Sequence, residues 1–207
     1  MFSHDVRGVA DAMTESVQDV ATGGGHVVFE TDRIRVRPWR TDEADRLLDI
    51  LSRYDVAKWL CDGEPELMKD RAEAVARIER YENRRTEDPH TGIWAIEVKQ
   101  TGVPAGTVLL VPLPNSDAGE IEIGWHLHPD SHGFGFASEA ARGVLARGFA
   151  DGLAEIFAVT HTTNGPSQAV CRRLGMSDLG VVEKWYEGES QCFRITRGEW
   201  EASRPVG

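Results

Sequence analysis

The chain is short of what would place it on a nucleic acid or in a membrane. Its 23 lysines and arginines face 34 acidic residues, a formal charge of −11 at pH 7. That balance argues against nucleic acid, which would need a basic face. The same imbalance favours gathering a cationic partner such as a protonated amine. No apolar run approaches the roughly 20 residues that a bilayer span needs. The N-terminus has no basic stretch followed by an apolar one, so no secretory signal is visible and a cytoplasmic protein is expected. Cysteine is scarce. Cys61, Cys171 and Cys192 are odd in number and lack metal-ligand spacing, which reads as reduced thiols rather than a disulfide framework. There is no internal repeat and no low-complexity tract.

What is present centres on residues 128–149, HPDSHGFGFASEAARGVLARGF. A glycine-containing turn runs straight into a helix. Ala137, Ala141, Val144, Leu145 and Gly148 recur at helical spacing, and Gly152 ends the run. The first amides of a helix have no internal partner, and the peptide dipoles leave that end partly positive. Gly133 and Gly135 remove side chains that would hold a diphosphate at a distance. A ligand ending in a diphosphate is therefore expected, with positive charge supplied by Arg142, Arg172 and Arg173. A dinucleotide fold fits poorly. Gly133 to Ser138 lacks the third glycine of that fingerprint, and no series of strand-helix-strand units precedes it.

At 207 residues one domain is expected. Residues 1–26 stand apart as a leader. Val6, Val9, Met13, Val17 and Val20 share one face of a possible amphipathic helix before Thr22-Gly23-Gly24-Gly25 breaks it, and a disordered leader fits equally. The domain proper, 27–204, opens with a strand over 27–39. A helix capped by Thr41 follows, buried through Ala44, Leu47, Leu48 and Leu51. Helical stretches come next around Val56, Trp59 and Leu60 and over 66–85. Strands are expected over 93–99, 103–111 and 118–127. After the glycine turn and its helix come a strand over 156–160, a helix over 167–174, and strands over 180–186 and 191–196. That order is an α+β layout around one mixed sheet.

EIGWHLHPDSHGFGFASEA and NGPSQAVCRRLGM together carry a resemblance. In order and content they are similar to strand four, the pyrophosphate loop, helix three and the Asn-x-x-Ser segment of the GCN5-related N-acetyltransferase (GNAT) superfamily. Within it, they most resemble the ribosomal-protein-alanine acetyltransferase (RimJ/RimL-like) branch. The likeness spans about residues 28–200. It implies a mostly antiparallel mixed sheet of about seven strands flanked by helices, acetyl-CoA as cosubstrate with no metal, and a primary amine as acceptor. The enzyme would be a monomer or a homodimer.

Acetyl transfer needs a grip on the coenzyme, a base for the amine proton, an oxyanion donor and an acid for the thiolate. The resemblance places the grip on His132, Gly133, Phe134, Gly135, Phe136, Ala137 and Ser138, with His132 standing where the family has Gln or Arg. It makes Glu122 the base, with Glu120 one pleat away on the same face, and a backbone N–H near Leu127 the oxyanion donor. Asn164 would read the pantetheine arm or cap its helix. Ser167 would be the acid, although Cys171 occupies a position where the wider superfamily often has Tyr. Trp59 and Trp39 could flank the acceptor amine or simply pack, in a pocket formed by 56–61, the helix over 63–90 and the turn at 186–190.

Two other readings remain. One is a non-catalytic acyl-CoA-binding module on the same fold. The other is a metallohydrolase, suggested by His126, His128 and His132, whose spacing misses the H-x-H-x-D-H pattern by one residue and whose only downstream histidine is His161.

Overall fold

The computed structural model describes residues 27–61, 63–87 and 90–203; the leader 1–26 lies outside them. The strand expected over 27–39 is two. The Thr31 hydroxyl accepts from the amides of Arg33 and Ile34, which turns the chain between β1 (Phe29–Glu30) and β2 (Ile34–Pro38). Thr41 does not cap the next helix. The Glu43 carboxylate accepts the Arg40 amide at 3.0 Å, which closes a 3-10 turn over Thr41–Glu43 ahead of α1 (Ala44–Leu51). After α2 (Tyr54–Ala57), α3 (Arg71–Glu87) starts later than the apolar spacing implies. Asp70 sets that start by accepting the Glu73 amide at 2.9 Å.

β3 (Gly92–Val98), β4 (Pro104–Pro112) and β5 (Ile121–Leu127) form a meander that leads into α4 (Phe136–Ala150). β6 (Glu155–His161), α5 (Gly165–Arg173), β7 (Ser177–Val182) and β8 (Ser190–Thr196) complete the expected order. A last helix, α6 (Arg197–Ala202), was not expected. Thr196 caps it by accepting the Glu199 amide while Glu199 accepts the Thr196 amide in return. The sheet has eight strands in the order β1-β2-β3-β4-β5-β6-β8-β7. Every pairing is antiparallel except β5 with β6.

Strand alternation divides the interior between the two faces of the sheet. Trp94 and Ile96 of β3 join the core beneath α4, whereas Ala95 between them joins the core beneath α1 and α3. Ala140, Ala141, Val144 and Leu145 of α4 are fully buried. Each such Val or Leu contributes about 1.5–3 kcal/mol. A smaller cluster of Leu113, Phe157, Trp185 and Cys192 lies under the β7–β8 hairpin. Both faces are therefore fastened on either side of β5, the strand that ends at the glycine turn. Among the described residues no helix is long and apolar enough to cross a membrane.

Candidate active site

The strand β5 ends at Leu127 and the chain turns through Pro129–Ser131 into the glycine loop. Gly133 and Gly135 have φ of 83° and 82°, the left-handed region that side-chain-bearing residues avoid. A Cβ on Gly133 would meet nothing within 4 Å, and one on Gly135 only Arg33 Nη2 at 3.7 Å. Their role in the chain itself is thus the turn rather than tight packing. Gly135 is the N-cap of α4 and offers no side chain to the helix's first amides. Those donors remain available to an anion.

The mouth of α4 is held from two sides. Arg33 donates through Nη1 to the Phe134 carbonyl at 3.1 Å and through Nε to Glu139 at 2.9 Å. Arg173 Nε donates to Ser138 Oγ at 3.3 Å, and Arg142 donates to the Arg173 carbonyl at 3.1 Å. Of the three arginines expected here, Arg172 is the exception. It lies over Phe193, 3.8 Å from Asp178. Phe134 has its side chain in solvent, stacked on Phe136, and it is not part of the cavity lining.

β5 and β6 register at Glu122↔Phe157. Beyond that pair, both strands border a cavity of about 800 Å³ that reaches the glycine loop, α5 and the segment after α2. The His128 amide donates to the Ala105 carbonyl on β4 at 2.8 Å. Backbone groups alternate along a strand, so the Leu127 N–H turns the opposite way, into the cavity. His132 lies beside it with Nε2 3.3 Å from the Leu127 carbonyl.

Glu122 is buried on this cavity's wall. Its Oε1 accepts the Val159 amide at 3.3 Å and its Oε2 accepts the Tyr186 hydroxyl. Both contacts span the fork between the strands, so β6 and the β7–β8 connection together fix the carboxylate. Glu120 is placed differently, contrary to its expected share in the acceptor face. It accepts from Ser116 Oγ at 2.7 Å and Trp185 Nε1 at 3.1 Å and pairs with Lys184. The Lys184 ammonium, helped by Ser116 and Trp185, pulls its carboxyl down to about 2. It does not line the cavity. Glu120 fastens the hairpin.

Asn164 caps α5 by accepting the Ser167 amide at 3.2 Å, and both residues border the cavity. Cys171 is fully buried in the core, where desolvation pushes its thiol up to about 12. It is absent from the lining. Trp59 stands on the opposite wall, edge-on to His161 with ring centroids 5.7 Å apart. His161 Nε2 is 2.9 Å from the Cys61 carbonyl, which ties β6 to the segment after α2. Of the three regions expected around the acceptor, those near Val56–Cys61 and Tyr186–Ser190 border the cavity, and α3 does not.

The three clustered histidines go to three different places. His126 lines the cavity. His128 turns toward α1, with Nε2 3.1 Å from Asp49 and Nδ1 2.8 Å from Asp130, and His132 sits on the loop. Alternation fails to keep His126 and His128 together because the strand ends between them. Among the described residues no group of three potential metal ligands forms. Sequence reasoning missed Tyr186, Val159 and Arg33, all brought in by pairings far along the chain. The only sequence signal for Tyr186 was a polar aromatic beside the Glu187-Gly188 turn.

An acetyltransferase (GNAT) domain model matches residues 33–177. The uncharacterized N-acetyltransferase YoaA of Bacillus subtilis (strain 168) is 29% identical over 160 residues, covering 76% of this chain and 87% of that protein. Two solved structures share the fold. The ribosomal-protein-S5-alanine acetyltransferase from Vibrio fischeri has a TM-score of 0.66 at 18% identity, covering 83% of this chain and 97% of its own. The microcin C7 self-immunity acetyltransferase MccE, in complex with acetyl-CoA and AMP, has a TM-score of 0.68 at 17% identity, covering 80% and 93%.

Proposed function

The chain belongs to the GNAT acetyltransferase family, and from that premise we propose that it moves an acetyl group from acetyl-CoA to a primary amine by direct transfer. The observation that carries this reading is the position of Glu122. A buried carboxylate is held at the fork of β5 and β6, on the same cavity as the uncapped start of α4 and as Ser167.

The cavity suits such a cosubstrate. Its volume of about 800 Å³ lies within the range for sites that enclose most of a ligand. The amides of Gly133 to Ser138 receive the diphosphate at the helix mouth, with Arg142 and Arg173 adding charge nearby. Asn164 and the open edge of β5 border the pantetheine path. The amine nitrogen attacks the thioester carbon and its proton passes to Glu122, directly or through water. The developing oxyanion accepts a hydrogen bond from the Leu127 N–H. The carbon–sulfur bond then breaks, and the thiolate takes a proton from the Ser167 hydroxyl, which recovers one from solvent. The buried Cys171 thiol is out of reach of the cavity, which supports Ser167 as the donor. Trp59 forms one wall of the acceptor half.

The RimJ/RimL-like branch is supported by the order of the motifs and by the fold shared with the Vibrio fischeri protein. The composition supports a cytoplasmic enzyme. A panel of primary amines assayed with acetyl-CoA for release of free thiol tests the reading. Turnover on at least one amine, unaffected by chelator, is expected. In Gly135→Val, a side chain at left-handed φ should abolish coenzyme binding while circular dichroism stays native. Tight coenzyme binding by the wild type with no turnover on any amine would leave a binding module in its place.

A further inference from the structure

The proposed base is gripped by a side chain that the transfer itself does not consume. Glu122 has Val111 as its strand partner on β4 and Phe157 as its partner on β6. Apolar neighbours give a carboxylate no direction, whereas hydrogen bonds do. The Val159 amide donates to Oε1 at 3.3 Å, longer than the usual N–H to oxygen distance. The Tyr186 hydroxyl, nearer, donates to Oε2.

Tyr186 reaches Glu122 because the two residues before it are tied down. Lys184 pairs with Glu120, and Trp185 Nε1 donates to the same carboxylate at 3.1 Å. Asn115 Nδ2 donates to the Trp185 carbonyl at 3.0 Å. The Trp185 ring packs on Phe157, with centroids 5.3 Å apart. Glu120 and Glu122, two residues apart on one face of β5, thus hold neighbouring residues of the β7–β8 connection. The first grip lies off the cavity. The second lies on it, since Glu122 and the half-buried Tyr186 both line the cavity wall. The Tyr186 ring also packs against the cluster of Phe157 and Trp185. Ring and hydroxyl therefore have separate roles: the ring packs, and the hydroxyl holds the carboxylate.

We infer that Tyr186 is a positioning residue for the acetyl transfer and acts through Glu122. Its hydroxyl fixes the carboxylate in the orientation from which an oxygen meets the proton of the amine. A hydrogen bond donated to a carboxylate also favours the charged form, the one able to take a proton. The hydroxyl neither gains nor loses a proton over the cycle. The inference rests on the reading of Glu122 as the base and deepens it, because it names what aims that base.

Tyr186→Phe keeps the ring in its cluster and removes only the hydroxyl. With the best acceptor from the amine panel, kcat should fall by about tenfold or more, the scale set by a lost hydrogen bond to a charged group and a misplaced base. The KM for acetyl-CoA and the melting temperature should match those of the wild type. The same substitution is then made in Glu122→Gln, with the acetylated amine counted by mass spectrometry. There it should change turnover by less than about twofold, because no base is left to aim. Equal fractional losses in the two backgrounds would show a role independent of Glu122 and overturn the inference. Full activity of Tyr186→Phe in the otherwise wild-type enzyme, or a melting temperature that falls along with its rate, would overturn it too. In each of these cases a slow Glu122→Gln leaves the transferase reading standing. Normal turnover by Glu122→Gln would instead overturn the base assignment, and the inference with it.

Discussion

Arg37 on β2 and Glu122 on β5 are both ionisable and both less than a tenth exposed, yet their surroundings are opposite in kind. Arg37 is enclosed by protein alone. Its Nε donates to Glu97, Nη1 to Glu43 and the Pro38 carbonyl, and Nη2 to both Glu43 and Glu97. Arg35 and Arg40 then take the outer sides of those two carboxylates. Every N–H of the Arg37 guanidinium is used. Glu122 instead borders a cavity of about 800 Å³, with His126 on the same wall. A buried charge that protein fully surrounds holds the fold together. Buried polar groups that open on a cavity are where the fold leaves room for a ligand.

Breaking the enclosed cluster should give the largest loss of stability. Arg37→Met takes the central counter-charge from two buried carboxylates and leaves them only Arg35 and Arg40 on their outer sides, at a cost of about 3–5 kcal/mol. Urea unfolding measures this, and turnover per folded molecule should be unchanged. A large fall in turnover at full foldedness would mean that the two regions are not separable. On the cavity side, Ser167→Ala should lower turnover about tenfold, the modest help that a thiolate leaving group requires. Its counterpart Cys171→Ala should leave turnover alone and lower stability by about 1 kcal/mol. The reverse pattern in this pair would make the thiol the acid.

The remaining effect is on pH. The pKa of His126 is lowered from 6.5 to about 4 on folding, so the unfolded chain binds its proton first. That contribution to stability is complete above about pH 6.5 and is lost as pH falls toward 4. Removing the imidazole in His126→Leu should flatten this part of the stability profile. An unchanged slope between pH 7 and 4 would show that His126 is not held neutral.

The local parts of this arrangement were legible and the distant ones were not. Glycines before an apolar helix, the glutamate on the strand ahead of them, and Asn164-x-x-Ser167 at a helix start each depend on neighbours within a few residues. Periodicity reports such features directly. Boundaries failed where a side chain overrode the period: the Thr31 hydroxyl divided the first strand, and the Glu43 carboxylate delayed the first helix. Thr196 and Glu199 did carry the signature of a capping box, but a strand reading had claimed Thr196 as its end. Tyr186 reaches Glu122 across 64 residues, and Arg33 reaches Phe134 across 101. Those contacts depend on sheet order and register, which periodicity does not encode. Glu120 and Glu122 looked equivalent by alternation. Lys184 and Trp185, met only through the β7–β8 hairpin, separate them.

The central claim is that Glu122 is buried for chemistry and Arg37 for structure, and Glu122→Gln tests it most directly. The amide keeps the shape of the side chain, an oxygen for the Val159 amide and an NH2 that the Tyr186 hydroxyl oxygen can accept, but it cannot take the amine proton. The account predicts a fall in turnover of roughly 10²–10⁴-fold, with acetyl-CoA affinity and melting temperature close to those of the wild type. A variant that turns over normally, or one that loses coenzyme binding and melting temperature along with its rate, would contradict it.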